Sequence, residues 1–167
     1  MPDGTWRNSV QLIDRSGDVA GQYNKNHLVI EENTKGGILC GREATVVETD
    51  FGKVGFAICF DLNFEPIRLR YKKLQPDLMV FSSVYHGGLM QAYWAYFLRC
   101  HMVTSIARLP SGILNPVGEM IATTTNYTDH VTATVNLDAE VCHLDYNQDR
   151  LKALKSKYGL AVTIHDP

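Results

Sequence analysis

One run of residues limits the fold more than any other: GFAICF, residues 55–60, inside KVGFAICFDLNFEP. It is short, apolar almost throughout, and preceded by Lys53-Val54 and followed by Asp61. A strand with one wet face alternates apolar and polar side chains, whereas a strand covered on both faces does not. The run therefore predicts a central strand of a layered sheet. Its end is unusual, because Cys59 closes it with only Phe60 before an aspartate, Asp61. Three readings of Cys59 stand open: a small buried hydrophobe, a metal ligand, or a nucleophile on a strand-to-helix turn.

The flanking pattern supplies the rest of an α/β arrangement. SVQLID, residues 9–14, alternates; RSGD is a turn; VAGQYNKNHLVI extends again. EENTKGGILCGREA reads as a polar loop, and TVVETD as a strand joined to KVGFAICF by the turn at 50–52. Asn63 is placed to cap a helix through EPIRLRYKKL, where Pro66 is tolerated in the first turn. PDLMVFSSVY predicts a second buried strand, and residues 89–108 one long helix. SGILNP and EMIATTT predict strands around the turn at 116–118, and HVTATVNLD a clean alternating strand. QDRLKALKSKY predicts a last helix with Leu151, Leu154 and Tyr158 on one face, Asn147 near its start and Gly159 after its end. Strand–helix–strand units beside hairpins make one mixed α/β layered domain over residues 1–167.

The chain has 167 residues, enough for a substantial single core, and a net charge of −2. That balance points away from nucleic acid and anionic membrane as main partners. No apolar run is long enough to span a bilayer, and MPDGTWRNSV lacks the pattern of a secretion signal. The four cysteines, Cys40, Cys59, Cys100 and Cys142, are far apart, with no CxxC pair. The expectation is a cytoplasmic protein with reduced thiols and no cofactor.

If Cys59 stands at the carboxyl end of its strand, the N–H of Phe60 is free to face a developing oxyanion. A thiol near its ordinary pKa is mostly protonated at neutral pH, so such a cysteine needs a base or a nearby positive charge. Lys25 lies in GQYNKNHL, an extended stretch with apolar flanks. There it either faces solvent or is placed for chemistry; buried near a thiol, it would favour the thiolate.

Together these stretches resemble the carbon–nitrogen hydrolase family, the nitrilase superfamily. Its members carry a Y-x-K-x-H-L segment, here Tyr23 to Leu28, and a later G-x-x-I-C-Y/F-D-L-x-F segment, here Gly55 to Phe64. NSVQLIDRSGDVAGQYNKNHL resembles the hairpin before the family lysine, and PDLMVFSSVY the strand after the nucleophile helix. WAYFLRCHMVTSIAR resembles a helix in which members often have an Arg-Ala pair, and GILNPVGEMIATT the P-x-G strand pair.

The resemblance implies an α-β-β-α sandwich with a Glu-Lys-Cys triad. Cys59 would attack an amide, carbamoyl or nitrile carbon, and Lys25 with the Phe60 N–H would hold the oxyanion. It implies a small-molecule amide or nitrile substrate and a homo-oligomer. The family's general-base glutamate lies before the lysine motif, and none of the 24 residues before Lys25 is a glutamate. The sequence is therefore expected to start partway through the family fold, truncated at the N-terminus. Members often have a second glutamate after the lysine; Glu31 and Glu32 occupy that region, with Glu32 preferred and a plain solvated acidic pair as the alternative. NFEP departs from the family's Phe-Pro-Glu order, which leaves Glu65 without an assigned role.

SSVYHGG should end near the pocket, so Tyr85, His86 and Trp94 are candidate substrate contacts, against a reading as core aromatics and a loop histidine. His27 is expected to be structural. No ligand spacing on one element supports a metal site. The competing functional reading is a non-catalytic fragment or pseudo-enzyme that retains the cysteine pocket. The unpaired sheet edge and uncovered apolar surface of a truncated fold predict self-association or marginal stability.

Overall fold

The computed structural model describes residues 4–165; Met1–Asp3, the first residues of MPDGTWRNSV, lie outside them. A hairpin of β1 (Ser9–Ile13) and β2 (Val19–Asn24) comes first, followed by a short helix, α1 (Ile30–Thr34). A six-stranded sheet follows in the order β3-β4-β5-β6-β7-β8. Its strands are β3 (Val46–Thr49), β4 (Gly52–Ile58), β5 (Leu78–Ser83), β6 (His101–Ile106), β7 (Gly112–Leu114) and β8 (Met120–Thr123). Strands β4, β5 and β6 are parallel and the other pairs antiparallel. Helices α2 (Glu65–Leu74) and α3 (Leu89–Leu98) form the two crossovers between them. Crossovers of one hand along strands in sequential order place both helices on one face. Helix α4 (Gln148–Tyr158) is followed by a 3-10 turn over Gly159–Ala161 and buries none of its residues.

β4 is the covered strand its composition predicts. Val54, Phe56 and Ile58 pack with Tyr23 and Val47 on the hairpin side. Ala57 turns to the helix side, among Leu62, Ile67, Tyr71, Met79, Phe81 and Trp94. Full burial of a side chain such as Phe56 contributes about 1.5–3 kcal/mol. Two close approaches set the layer spacing. A Cβ on Gly21 would stand 2.3 Å from Val47 Cγ2, so the hairpin can lie directly on β3. A Cβ on Gly55 would meet Met79 Sδ at 2.5 Å and the Tyr71 ring at 3.1 Å. Its absence lets the Tyr71 hydroxyl reach the Phe56 carbonyl, at 2.5 Å.

Four expectations are corrected. The helix expected over 89–108 stops at Leu98, and Arg99 turns into the left-handed region at φ 58°. HMVTSI then pairs in parallel with β5, from Leu78↔His101 to Ser83↔Ile106. Its β-branched residues fit a pleated sheet, and burying Met102, Thr104 and Ile106 outweighs the helix propensity before them. The strand expected over residues 130–138 has no ladder partner and is irregular. Alternation encodes an extended chain with one covered face, but a strand also needs a neighbour, which alternation does not supply. The loop after the lysine holds α1. Helix α2 is entered through Phe64, not capped by Asn63, whose side chain instead accepts a hydrogen bond from Tyr85.

Candidate active site

Cys59 is where β4 breaks. Ile58 is still extended at φ −122° and ψ 117°, whereas Cys59 has φ 49° and opens a 3-10 turn over Cys59–Asn63. A residue with a Cβ in this region carries about 1–2 kcal/mol of strain, which persists only where surrounding contacts impose it. Both ends of the turn are held. The Ile58 N–H donates to Asp61 Oδ2 at 3.1 Å, and the Trp94 indole N–H donates to the Leu62 carbonyl at 3.0 Å. Cys59 is a free, half-buried thiol packed against the Tyr23–Phe56 cluster. The Phe60 N–H is among those that a helical turn leaves without an internal acceptor. The Phe60 ring is partly exposed and meets Phe64 edge-on.

Lys25 follows β2, and its backbone is pinned on both sides. Its N–H donates to the Asn8 carbonyl at 2.9 Å, and its carbonyl accepts from Gly41 at 2.7 Å. The side chain is only 2% exposed, and Nζ lies 2.6 Å from Glu32 Oε2. The helix that sequence reading missed is what aims this carboxylate. Glu32, at the third position of α1, reaches back to the Val29 N–H at 2.8 Å, the return half of a capping box. Asn8 Nδ2 donates to the other oxygen at 2.7 Å. Burial pulls the Glu32 pKa up, but the hydrogen bonds from Lys25, Asn8 and Val29 and the Lys25 charge outweigh it, and the net shift is downward. Glu31 is exposed.

Sequence reading gave Asp61 no role. The carboxylate is fully buried and takes donors from both motifs. Tyr23 hydroxyl and the Ile58 N–H reach Oδ2, at 2.8 and 3.1 Å. The Asn26 and His27 N–H groups reach Oδ1 at 3.2 and 2.8 Å, and His27 Nδ1 lies 3.2 Å from it. The signal available beforehand was a charge next to an apolar strand end, which needs partners if buried. His27 also stacks on Phe64, with ring centroids 3.9 Å apart and an interplanar angle of 4°.

The three candidate substrate contacts separate. The Tyr85 hydroxyl donates to Asn63 Oδ1 at 3.0 Å, so this side chain borders the turn. His86 follows it in the loop and accepts the Gly88 N–H at Nδ1, 3.2 Å away, while the Gln91 amide holds its carbonyl. Trp94, the sixth residue of α3, is fully buried under the turn. It lacks the surface a substrate contact needs, because burying its large ring and satisfying its N–H at Leu62 serve the core. Glu65 is exposed and 3.3 Å from Arg68. Two open grooves lie elsewhere, one against Lys72, Phe97 and Arg99, the other against Leu144 and Leu151; neither includes Cys59 or Lys25. Among the described residues no three His, Cys, Asp or Glu side chains are grouped to hold a metal ion.

A strained cysteine turn after a buried parallel strand, with a buried lysine on an adjoining hairpin, defines a class of protein that comparison identifies. The Carbon-nitrogen hydrolase family profile matches residues 2–143, and the chain belongs to that family. It is similar to the Deaminated glutathione amidase of Homo sapiens, 26% identical over 100 residues, which are 55% of this chain and 31% of that one. Similarity to the chloroplastic Omega-amidase of Arabidopsis thaliana is 21% over 179 residues, 91% of this chain and 47% of that one. The C. elegans NitFhit crystal structure superposes with a TM-score of 0.69 at 22% identity, covering 96% of this chain and 44% of that one. The fold is thus the α/β nitrilase fold, and this chain spans less than half the length of these relatives.

Proposed function

We propose that the protein hydrolyses a non-peptide carbon–nitrogen bond in a small linear amide, carbamoyl compound or nitrile, through a thioester on Cys59. For an amide, the thiolate sulfur attacks the carbonyl carbon. The C–S bond forms as the carbonyl π electrons move to oxygen, and that oxyanion is held by Lys25 Nζ and the Phe60 N–H. The oxyanion collapses, the C–N bond breaks, and the amine leaves with a proton taken from water, leaving a hydroxide that accepts the proton released by the water attack that follows. Water then attacks the thioester carbon, the C–S bond breaks, and the acid departs. Glu32 fixes Lys25. No glutamate precedes Lys25 in this sequence, so these residues do not contribute the family's general base. Tyr85 and His86 border the substrate, and Trp94 supports the turn from the core.

The observation that carries this reading is a fully buried lysine held at 2.6 Å by a glutamate, on a segment hydrogen-bonded to the turn that bears a strained cysteine. The amidase names of the relatives support the amide class. A homo-oligomer is supported by β8, which has one paired neighbour, and by exposed apolar side chains such as Ile30 and Leu89. No helix of the described residues is long and apolar enough to cross a membrane; a cytoplasmic location belongs to the same proposal. The second reading is a non-catalytic fragment or pseudo-enzyme that keeps the cysteine pocket without turnover. Ammonia release from short ω-amides, with Cys59→Ala as control, decides between them. Alkylation at Cys59 without any hydrolysis selects the non-catalytic reading.

A further inference from the structure

We propose that Asp61 is the positioning residue that joins the lysine segment and the cysteine turn into one site. This deepens the hydrolase reading and rests on it for the kinetic part of its test. The two motifs are distant in sequence, Lys25 and Cys59 being carried by different sheets. Four donors converge on the buried carboxylate: one from the end of β4, Ile58 N–H, and three from the lysine segment, namely the Tyr23 hydroxyl and the Asn26 and His27 N–H groups; the His27 ring Nδ1 also lies 3.2 Å from Oδ1.

The geometry explains why a carboxylate stands there. Consecutive N–H groups at residues 26 and 27 point at one oxygen, a backbone concavity that binds anions. This clamps the chain directly after Lys25, while Asn8 and Gly41 hold Lys25 itself. Asp61 is two residues from Cys59 in the same tight turn. Displacing it therefore moves the cysteine turn relative to the lysine segment. A carboxylate offers about four lone-pair sites, so these contacts saturate Asp61 and leave no lone pair for a metal ion. Burial, and then the Asp61 charge, push the Tyr23 pKa up, which keeps its hydroxyl a donor. Asparagine is nearly isosteric but turns one acceptor into a donor, which opposes an N–H or O–H on whichever side it faces.

The test compares wild type, Asp61→Asn and Tyr23→Phe as full chains, at a temperature where circular dichroism shows each folded. Iodoacetamide alkylation is mapped by peptide, with exposed Cys142 as the internal standard. The expected result is a fall of about tenfold in the Cys59:Cys142 rate ratio for Asp61→Asn, and a smaller fall, about threefold, for Tyr23→Phe. On an ω-amide, kcat falls roughly a hundredfold with KM little changed, the scale of a misplacement of about 1 Å. A ratio and kcat within twofold of wild type, with only a lowered melting temperature, overturn the assignment and leave Asp61 a structural brace. If Asp61→Asn does not fold, an unchanged ratio in Tyr23→Phe overturns it. A wild type that hydrolyses nothing refutes the hydrolase reading, and the alkylation ratio still decides the positioning role. A wild-type Cys59 that resists alkylation while Cys142 reacts overturns both.

Discussion

Lys25 Nζ and Glu32 Oε2 meet at 2.6 Å, with the lysine side chain 2% exposed and the glutamate 21% exposed. The pair is asymmetric: the lysine has no alternative solvent, and the glutamate does. Removing the counter-charge of a buried ion costs about 3–5 kcal/mol. Glu32→Gln is expected to lower stability by about 3 kcal/mol. At 2–4 °C per kcal/mol for a chain of this size, melting falls by roughly 6–12 °C. Lys25→Met keeps the apolar stem and leaves Glu32 to water, so its cost is expected near 1 kcal/mol. Urea titrations of both variants check the order; a larger loss for Lys25→Met defeats the argument.

The same pair sets a pH dependence. The Glu32 pKa is lowered in the fold, so between the folded value and the ordinary value near 4.3 the unfolded chain binds more protons. Stability from this group is complete above about pH 5 and is lost as pH falls through the folded pKa. The urea midpoint difference between wild type and Glu32→Gln should therefore shrink on going from pH 7 to pH 3. His101, whose pKa burial lowers, also loses stability as pH falls below about 6.5. It does so in both proteins and cancels in the difference. A constant difference would refute the assignment.

The left-handed backbone of Cys59 is the cost of presenting its sulfur. Cys59→Ala retains that strain and Cys59→Gly relieves it. The glycine variant should be the more stable of the two by about 1 kcal/mol, net of its greater unfolded entropy. Both should lack alkylation at position 59. An alanine variant as stable as the glycine variant would show the turn to be relaxed.

The cysteines should separate by accessibility. Cys40 and Cys142 are exposed, Cys59 is half-buried, and Cys100 is buried with its thiol pushed up to about 12, mainly by desolvation. Under native conditions at pH 7.5, peptide mapping should find Cys100 unlabelled until urea unfolds the chain. Native labelling of Cys100 at rates near Cys142 would mean that α3 and β6 open readily.

Trp94→Phe removes the donor to Leu62 and leaves a space in the core. The unsatisfied carbonyl and the lost volume together predict a loss of about 2–4 kcal/mol. Because the indole holds the turn from beneath, the Cys59 alkylation rate should change as well. A destabilised variant with unchanged alkylation would confine Trp94 to packing.

Much of the site was legible in local pattern. GFAICF announced a strand covered on both sides, and the sharp turn after it was foreseeable from a cysteine ahead of NFEP. The Tyr23–Leu28 segment was recognisable as a partner only through its resemblance to the family's lysine motif. Helix α3 was legible only to Leu98, since YWAYFL and HMVTSI are both apolar and a short apolar run does not declare its period. Residues 130–138 alternate as a strand does, yet pairing depends on a neighbour that the alternation does not encode. Trp94 looked like a pocket residue because a tryptophan near a site suits either core or cleft, and only its burial separates the two.

By itself the sequence determined that β4 is two-sided and that Cys59 ends it, because strand burial and turn chemistry are properties of neighbouring residues; the lysine segment was tied to it only through the family resemblance. Tertiary structure alone decided that Glu32 rather than Glu31 meets Lys25, and that Asp61 gathers donors from both motifs. Those contacts join residues up to 38 apart in sequence. They exist only once the hairpin has docked on β3 and β4, because hydrogen-bond direction depends on where two separately folded segments come to rest.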